Sequence, residues 1–134
     1  MPFNDAGVFR AGGTIAPSSF VVMSTAADNT ALAASGTSVV ILGIAQVGMK
    51  RTPGLAGSDT TIAAQAGDVI SIFSLGDVAP IQLGTGGCTR GDMLTSDASG
   101  FGVTAASTNE VGAQALQSGT VGAQVLARVL CRKA

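Results

Sequence analysis

Short runs of alternating apolar and polar residues, broken every few positions by Gly, Pro, Asn, Asp or Ser, fill most of this chain. Alternation with a period of two marks half-buried β-strands, and turn residues at such short intervals mark an all-β sandwich or barrel. Phe20-Val21-Val22-Met23 predicts a strand just after Ala16-Pro17. Residues 28–38, rich in Ala, Ser, Thr and Gly, predict a loop with at most one weak helical turn. Val39 to Met49 predicts a longer strand, with Val39, Ile41, Ala45, Val47 and Met49 on one face and Val40, Leu42 and Ile44 opening the other. A strand apolar on both faces is covered on both, by sheet packing or by a subunit contact. Residues 51–67 return to turn chemistry, within which Ile62 to Ala66 reads as a short strand or a single helical turn.

Asp68 to Leu83 predicts two strands meeting at Gly76-Asp77. Pro80, late in the second, points to an edge strand or a barrel corner, because proline cannot donate to a sheet ladder. Gly84-Thr85-Gly86-Gly87 reads as a mobile loop, and short strands follow at Gly91 to Asp97 and Gly102 to Ala106. VGAQAL at Val111 to Leu116 recurs as VGAQVL at Val121 to Leu126. This predicts a closing hairpin whose long strand turns Val121, Ala123, Val125, Ala127, Val129 and Cys131 to a small apolar face, as a tightly filled barrel interior needs. The fold class is therefore all-β: a small antiparallel β-barrel or sandwich with an irregular N-terminal arm.

The opening MPFNDAGVFRAGGTIAP has no sustained period, so the chain divides into an arm over residues 1–17 and a single β-barrel domain over 18–134. The arm carries isolated Phe3, Val8 and Phe9 among Gly7, Gly12 and Gly13, with Arg10 beside them. Such a segment has too little apolar surface to fold alone and gains it against a partner. These four residues, Phe3, Val8, Phe9 and Arg10, are the candidate partner contacts. The competing reading makes the same segment an edge strand of the chain's own barrel.

Composition narrows the function. There is no His, Tyr or Trp, and Lys plus Arg number 7 against 8 for Asp plus Glu. General acid–base chemistry draws on groups that titrate near neutrality, and the plentiful serines have no His to activate them. The chain is thus expected not to be an enzyme and to need no cofactor or metal. A net charge of −1 gives no basic stripe for phosphates, which argues against nucleic acid. Residues 29–49 are uncharged but interrupted by Asn29, Thr30, Ser35 to Ser38 and Gln46, so no membrane span is expected. The N-terminus lacks a basic region followed by an apolar one, which predicts cytoplasmic synthesis with Cys88 and Cys131 as free thiols. A mean hydropathy of +0.48 with 11% charged residues suggests that much surface is covered by other subunits.

Three local motifs are weaker than they look. The glycines at 84–87 lack the Gly-Lys-Ser/Thr ending of a phosphate loop. Gly67-Asp68, Gly76-Asp77 and Gly91-Asp92 have no calcium-loop spacing and read as turn devices. Arg90-Gly91-Asp92 spells an integrin tripeptide, a match short enough to arise by chance.

In order, the stretches FRAGGTIAPSSFVVM, VVILGIAQVG, AGDVISIFSLGDVAPIQLG, RGDMLTSDASG and VGAQALQSGTVGAQVLARVL resemble the small capsid decoration, or cement, proteins of tailed bacteriophages. The resemblance covers about residues 9 to 131. It implies a small β-barrel, commonly a homotrimer, on the outer capsid surface of the virion, bound to the major capsid protein and stabilising contacts between coat subunits. The family has no catalytic residues to transfer. The alternative is a non-catalytic β binding module of a phage tail or a surface adhesin, which the lack of Trp and Tyr disfavours for glycan recognition.

Overall fold

The computed structural model describes residues 8–26, 28–36, 40–45 and 67–133. Among them the regular structure is all strand: β1 (Val8–Ala11), β2 (Phe20–Met23), β3 (Thr30–Ala33), β4 (Ile41–Ala45), β5 (Val69–Phe73), β6 (Val78–Gln82), β7 (Met93–Ser96), β8 (Gly102–Thr104), β9 (Glu110–Ala115) and β10 (Gln124–Lys133). The first five close into a barrel in the order β1-β3-β2-β4-β5, and the rest form a second sheet in the order β6-β10-β9-β7-β8. The expected all-β class is what the chain adopts.

The barrel begins earlier and ends sooner than a domain spanning 18–134. Residues 8–11, assigned to the arm, are a wall strand: Arg10 pairs in parallel with Thr30 on one side and antiparallel with Val69 on the other. Phe9 and Ala11 turn inward and Arg10 outward, an alternation hidden in the sequence by the glycines around it. β3 replaces the predicted loop at Thr30–Ala33. Alanine is a weak strand former by propensity, but β1 and β2 pair with this segment on either side and Ala31 is fully buried in the barrel, so the tertiary setting makes it a strand.

β4 covers part of the predicted long strand; residues 46–49 and Val39 lie outside the described residues. Its register slips against β2, with Val21 opposite Gly43 but Val22 opposite Ile41, so Leu42 is a bulge residue. The slip moves Ile41 onto the same side as Ile44, correcting the predicted facing. Both belong to the core between barrel and sheet, while Leu42 and Ala45 pack in the barrel interior. Most of the strand is thus covered within one chain, while its start, at Ile41 and Leu42, borders an open apolar surface.

Two apolar clusters hold the fold. Ala11, Ile15, Val21, Ala31, Ala45, Ile70 and Ile72 fill the barrel. A larger one joins Phe20, Ala34, Ile41 and Ile44 from the barrel side to Ile81, Leu83, Leu94, Ala113, Val125, Ala127 and Val129 of the second sheet. The backbone at 18–20 clasps the halves together. The Ser18 and Ser19 carbonyls accept from Gln82 and Ala45 N–H at 2.8 and 2.7 Å, and Phe20 N–H donates to the Gly100 carbonyl at 2.7 Å. Ser18 holds a φ of 53° there, a left-handed conformation uncommon for a residue with a side chain.

β5 and β6 meet at the predicted turn, which the Asp77 carboxylate closes by accepting from Ser74 N–H at 2.9 Å. They do not pair with each other: β5 lies in the barrel and β6 on β10, so the turn is the crossing between the two sheets. Pro80 sits on the edge strand β6. The β9–β10 hairpin forms with Ala127 opposite Ala115. Val125, Ala127 and Val129 are buried as predicted, whereas Val121 is 65% exposed because it precedes the strand, in the turn before it.

Candidate interaction surface

The predicted contact residues separate once placed. Phe9 is partly buried and packs against the barrel core. Val8 is tied into the sheet opposite Ser71. Arg10 is exposed on the outer wall, where its guanidinium donates to the Gly67 carbonyl at 3.2 Å. Phe3 lies outside the described residues.

A surface that no motif announced opens where β2 ends and β4 begins. It is a groove of about 760 Å³ lined by Val22, Met23, Leu32, Val40, Ile41 and Leu42, with Thr25 at one end. Val40, Met23 and Leu32 are exposed by 71%, 45% and 37%. Ile41 roots the floor in the core between the sheets, and Val22 packs against that core. The described lining carries no charge, so the groove is suited to an apolar side chain or an uncharged strand and to little else. The signal for it in sequence was only Met23, Leu32 and Val40 at positions that alternation alone cannot assign to inside or outside.

The second sheet shows further apolar side chains at Val78, Leu116 and Leu126, each 40–45% exposed. Leu116 and Leu126 are neighbours, Leu116 N–H donating to the Leu126 carbonyl at 2.8 Å.

The remaining motifs resolve into turns. Residues 84–87 are pinned rather than mobile: Gly84 N–H donates to the Gly102 carbonyl at 2.8 Å, and Gly87 N–H to the Gly84 carbonyl at 3.2 Å. A side chain at Gly84 would strike the Asp97 carboxylate, and one at Gly87 the Gly119 carbonyl. In the Arg90-Gly91-Asp92 tripeptide the Asp92 carboxylate folds back to accept from Thr89 N–H at 2.9 Å, which makes it a turn cap. Asp97 does the same for the next turn, its Oδ1 accepting from Ser99 and Phe101 N–H at 2.8 and 2.9 Å. Cys88 is a free, half-buried thiol whose Sγ–H points to the Gln117 carbonyl at 3.5 Å. Burial raises its pKa above that of an ordinary thiol; a backbone hydrogen bond from Gly119 works the other way, and the nearby Asp92 charge adds to the rise. Among the described residues no three His, Cys, Asp or Glu side chains converge.

No family model matches the chain, and none of the curated proteins does. Among solved structures the chain is similar to the head fiber gp8.5 N base of bacteriophage phi29, with a TM-score of 0.55 and 16% identity over 95% of this chain and 94% of that one. At that identity the likeness is one of fold. It runs nearly end to end on both sides, so the barrel and the second sheet together make up the shared unit.

Proposed function

We propose that this chain is a structural protein of a tailed-phage virion: a decoration subunit that binds the outer face of the capsid and reinforces contacts between major coat subunits. The observation that carries this reading is the fold shared over 95% of the chain with a phage head-fiber base. The order of motifs in the sequence supports it independently. So does the surface, where an uncharged apolar groove and a second set of exposed leucines and valines offer contact area without titratable chemistry. The subunit acts as a homotrimer, because several equivalent contacts to a repeating shell multiply modest affinities through effective concentration. Arg10, exposed on the barrel wall, is retained as a shell contact. Phe9 is partly buried against the barrel core, so it offers the shell only the part of its ring left exposed.

The test is co-sedimentation of the purified protein with coat shells of the phage that encodes it, prepared without it. Saturable binding at a fixed ratio to coat protein, by a species whose light-scattering mass is three times 13.1 kDa, is expected. Failure to sediment with shells at micromolar concentration overturns the assignment.

A further inference from the structure

We infer that the apolar groove on the barrel receives the outer face of the second sheet of a neighbouring copy, so that copies join head to tail. Three strands build that face. Leu126 of β10 stands opposite Pro80 of β6, and on its other side Leu116 of β9 donates its N–H to the Leu126 carbonyl. Ala79, Ala115 and Ala127, next to them in each strand, are buried in the inter-sheet core, so Leu116, Leu126 and Pro80 lie on the outer face. They make an apolar row about 10 Å long, two strand spacings of about 4.8 Å. Arg128, two positions along β10 from Leu126, is exposed beside this row, between Val78 and Gln114. Gln124 and Gln82 border the opposite side. An apolar centre with a polar rim is the anatomy of a protein contact. The face is turned away from the barrel, so a chain cannot seat its own row in its own groove.

Charge makes the two surfaces complements. The described lining of the groove is uncharged, and Met23, Leu32 and Val40 leave open in it the apolar area that Leu116 and Leu126 would cover. Asp28 is exposed in the turn between β2 and β3, beyond the Thr25 end of the groove. Among the described residues neither the Asp28 carboxylate nor the Arg128 guanidinium takes an ion-pair partner. With the row laid along the groove and Arg128 toward Thr25, these two charges meet. The reverse direction sets Arg128 against apolar lining and strips it of water with no partner in return. The pair thus fixes direction more than it adds affinity. Groove and row are different patches, so each copy uses both, and such heterologous contacts terminate by closing a ring. This assigns the contact surfaces of the homotrimer proposed above and rests on that reading.

The test uses the purified full chain without shells. Leu126→Glu disables the row and Met23→Glu the groove; both side chains are exposed in the single chain, so each variant should keep the wild-type circular dichroism spectrum. Light scattering should read three times 13.1 kDa for the wild type and 13.1 kDa for each variant alone. Mixed one to one, the two variants hold one intact groove and one intact row between them. They should pair at twice 13.1 kDa and form nothing larger. Arg128→Asp and Asp28→Arg should each weaken the trimer severalfold on dilution, and together restore it; this swap decides the matter if a glutamate variant loses its fold. A monomeric wild type, a trimer that persists in both glutamate variants, a mixture without the paired species, or a double swap no better than the single ones overturns the inference. A persisting trimer leaves the decoration reading standing, and failure to bind shells leaves this contact standing, so the two fail separately.

Discussion

The same tetrapeptide, Val-Gly-Ala-Gln, occurs twice in this chain, and its two glycines are required for unrelated reasons. Gly112 lies in β9 against the inter-sheet core. A methyl group there would sit 2.5 Å from Cε1 of Phe20 and 2.9 Å from Cδ1 of Ile41. Ordinary carbon contacts are about 3.5–4.0 Å, so the overlap is about 1 Å. Phe20 is 0% and Ile41 2% exposed, and neither ring nor methyl has space to yield. Overpacking of this kind costs about 1–3 kcal/mol. Removing a flexible glycine from a strand returns about 0.5–1 kcal/mol. The net prediction for Gly112→Ala is a loss of about 1–2 kcal/mol, or a Tm lowered by roughly 3–10 °C. Gly122, in the second copy, has nothing within 4 Å of its would-be side chain but holds a φ of 83°. Gly122→Ala should therefore cost a similar amount, about 1–2 kcal/mol, through backbone conformation alone.

Rescue distinguishes the causes. Adding Phe20→Leu, which trims the ring beneath position 112, should make Gly112→Ala nearly free relative to Phe20→Leu alone. It should leave the cost of Gly122→Ala untouched. Conversely Gly122→Asn should be milder than Gly122→Ala, because asparagine tolerates left-handed backbone, whereas Gly112→Asn should be the worst of the set. Thermal melts by circular dichroism at one fixed protein concentration would measure all seven variants. If Phe20→Leu rescues both alanine variants or neither, the packing account of Gly112 is wrong.

Val125→Asp should abolish the cooperative melt, because it places an unpaired charge at a position 3% exposed in the inter-sheet core; wild-type stability would refute the inner-face assignment of β10. Asp97→Ala removes the acceptor for Ser99 and Phe101 N–H and should lose about 1–3 kcal/mol in urea titration, with Asp97→Asn losing less. In a Cys131→Ala background, the Cys88 thiol should react with iodoacetamide at pH 8 more slowly than in urea-unfolded protein. Its raised pKa leaves less thiolate at that pH, and the gap should narrow as pH rises through the folded-state value. Equal rates folded and unfolded would remove the burial argument.

The alternation of Phe20 to Met23, the turn at Gly76-Asp77 and the long apolar face of Val125, Ala127 and Val129 were legible in the residues alone. Each depends on local terms, strand period and turn chemistry, which act over a few positions. The edge placement of Pro80 was equally local, since a missing N–H restricts a residue wherever the strand lies. Which strands pair was not local. β5 and β6 look like a hairpin in sequence, yet each finds its partners elsewhere, because the barrel takes one to close its wall and the sheet takes the other at its edge. Thr30–Ala33 is a strand because β1 and β2 pair with it on either side, a tertiary arrangement that overrides its weak local propensity. The bulge at Leu42 rotates Ile41 to the opposite core from the one alternation assigns, a register choice made by packing against β2. The groove follows from that choice, for its floor is the bulged strand. The two copies of Val-Gly-Ala-Gln mark the limit most clearly: identical residues become a buried strand under Phe20 in one place and a left-handed turn in the other, and only the neighbours brought in by the fold decide which.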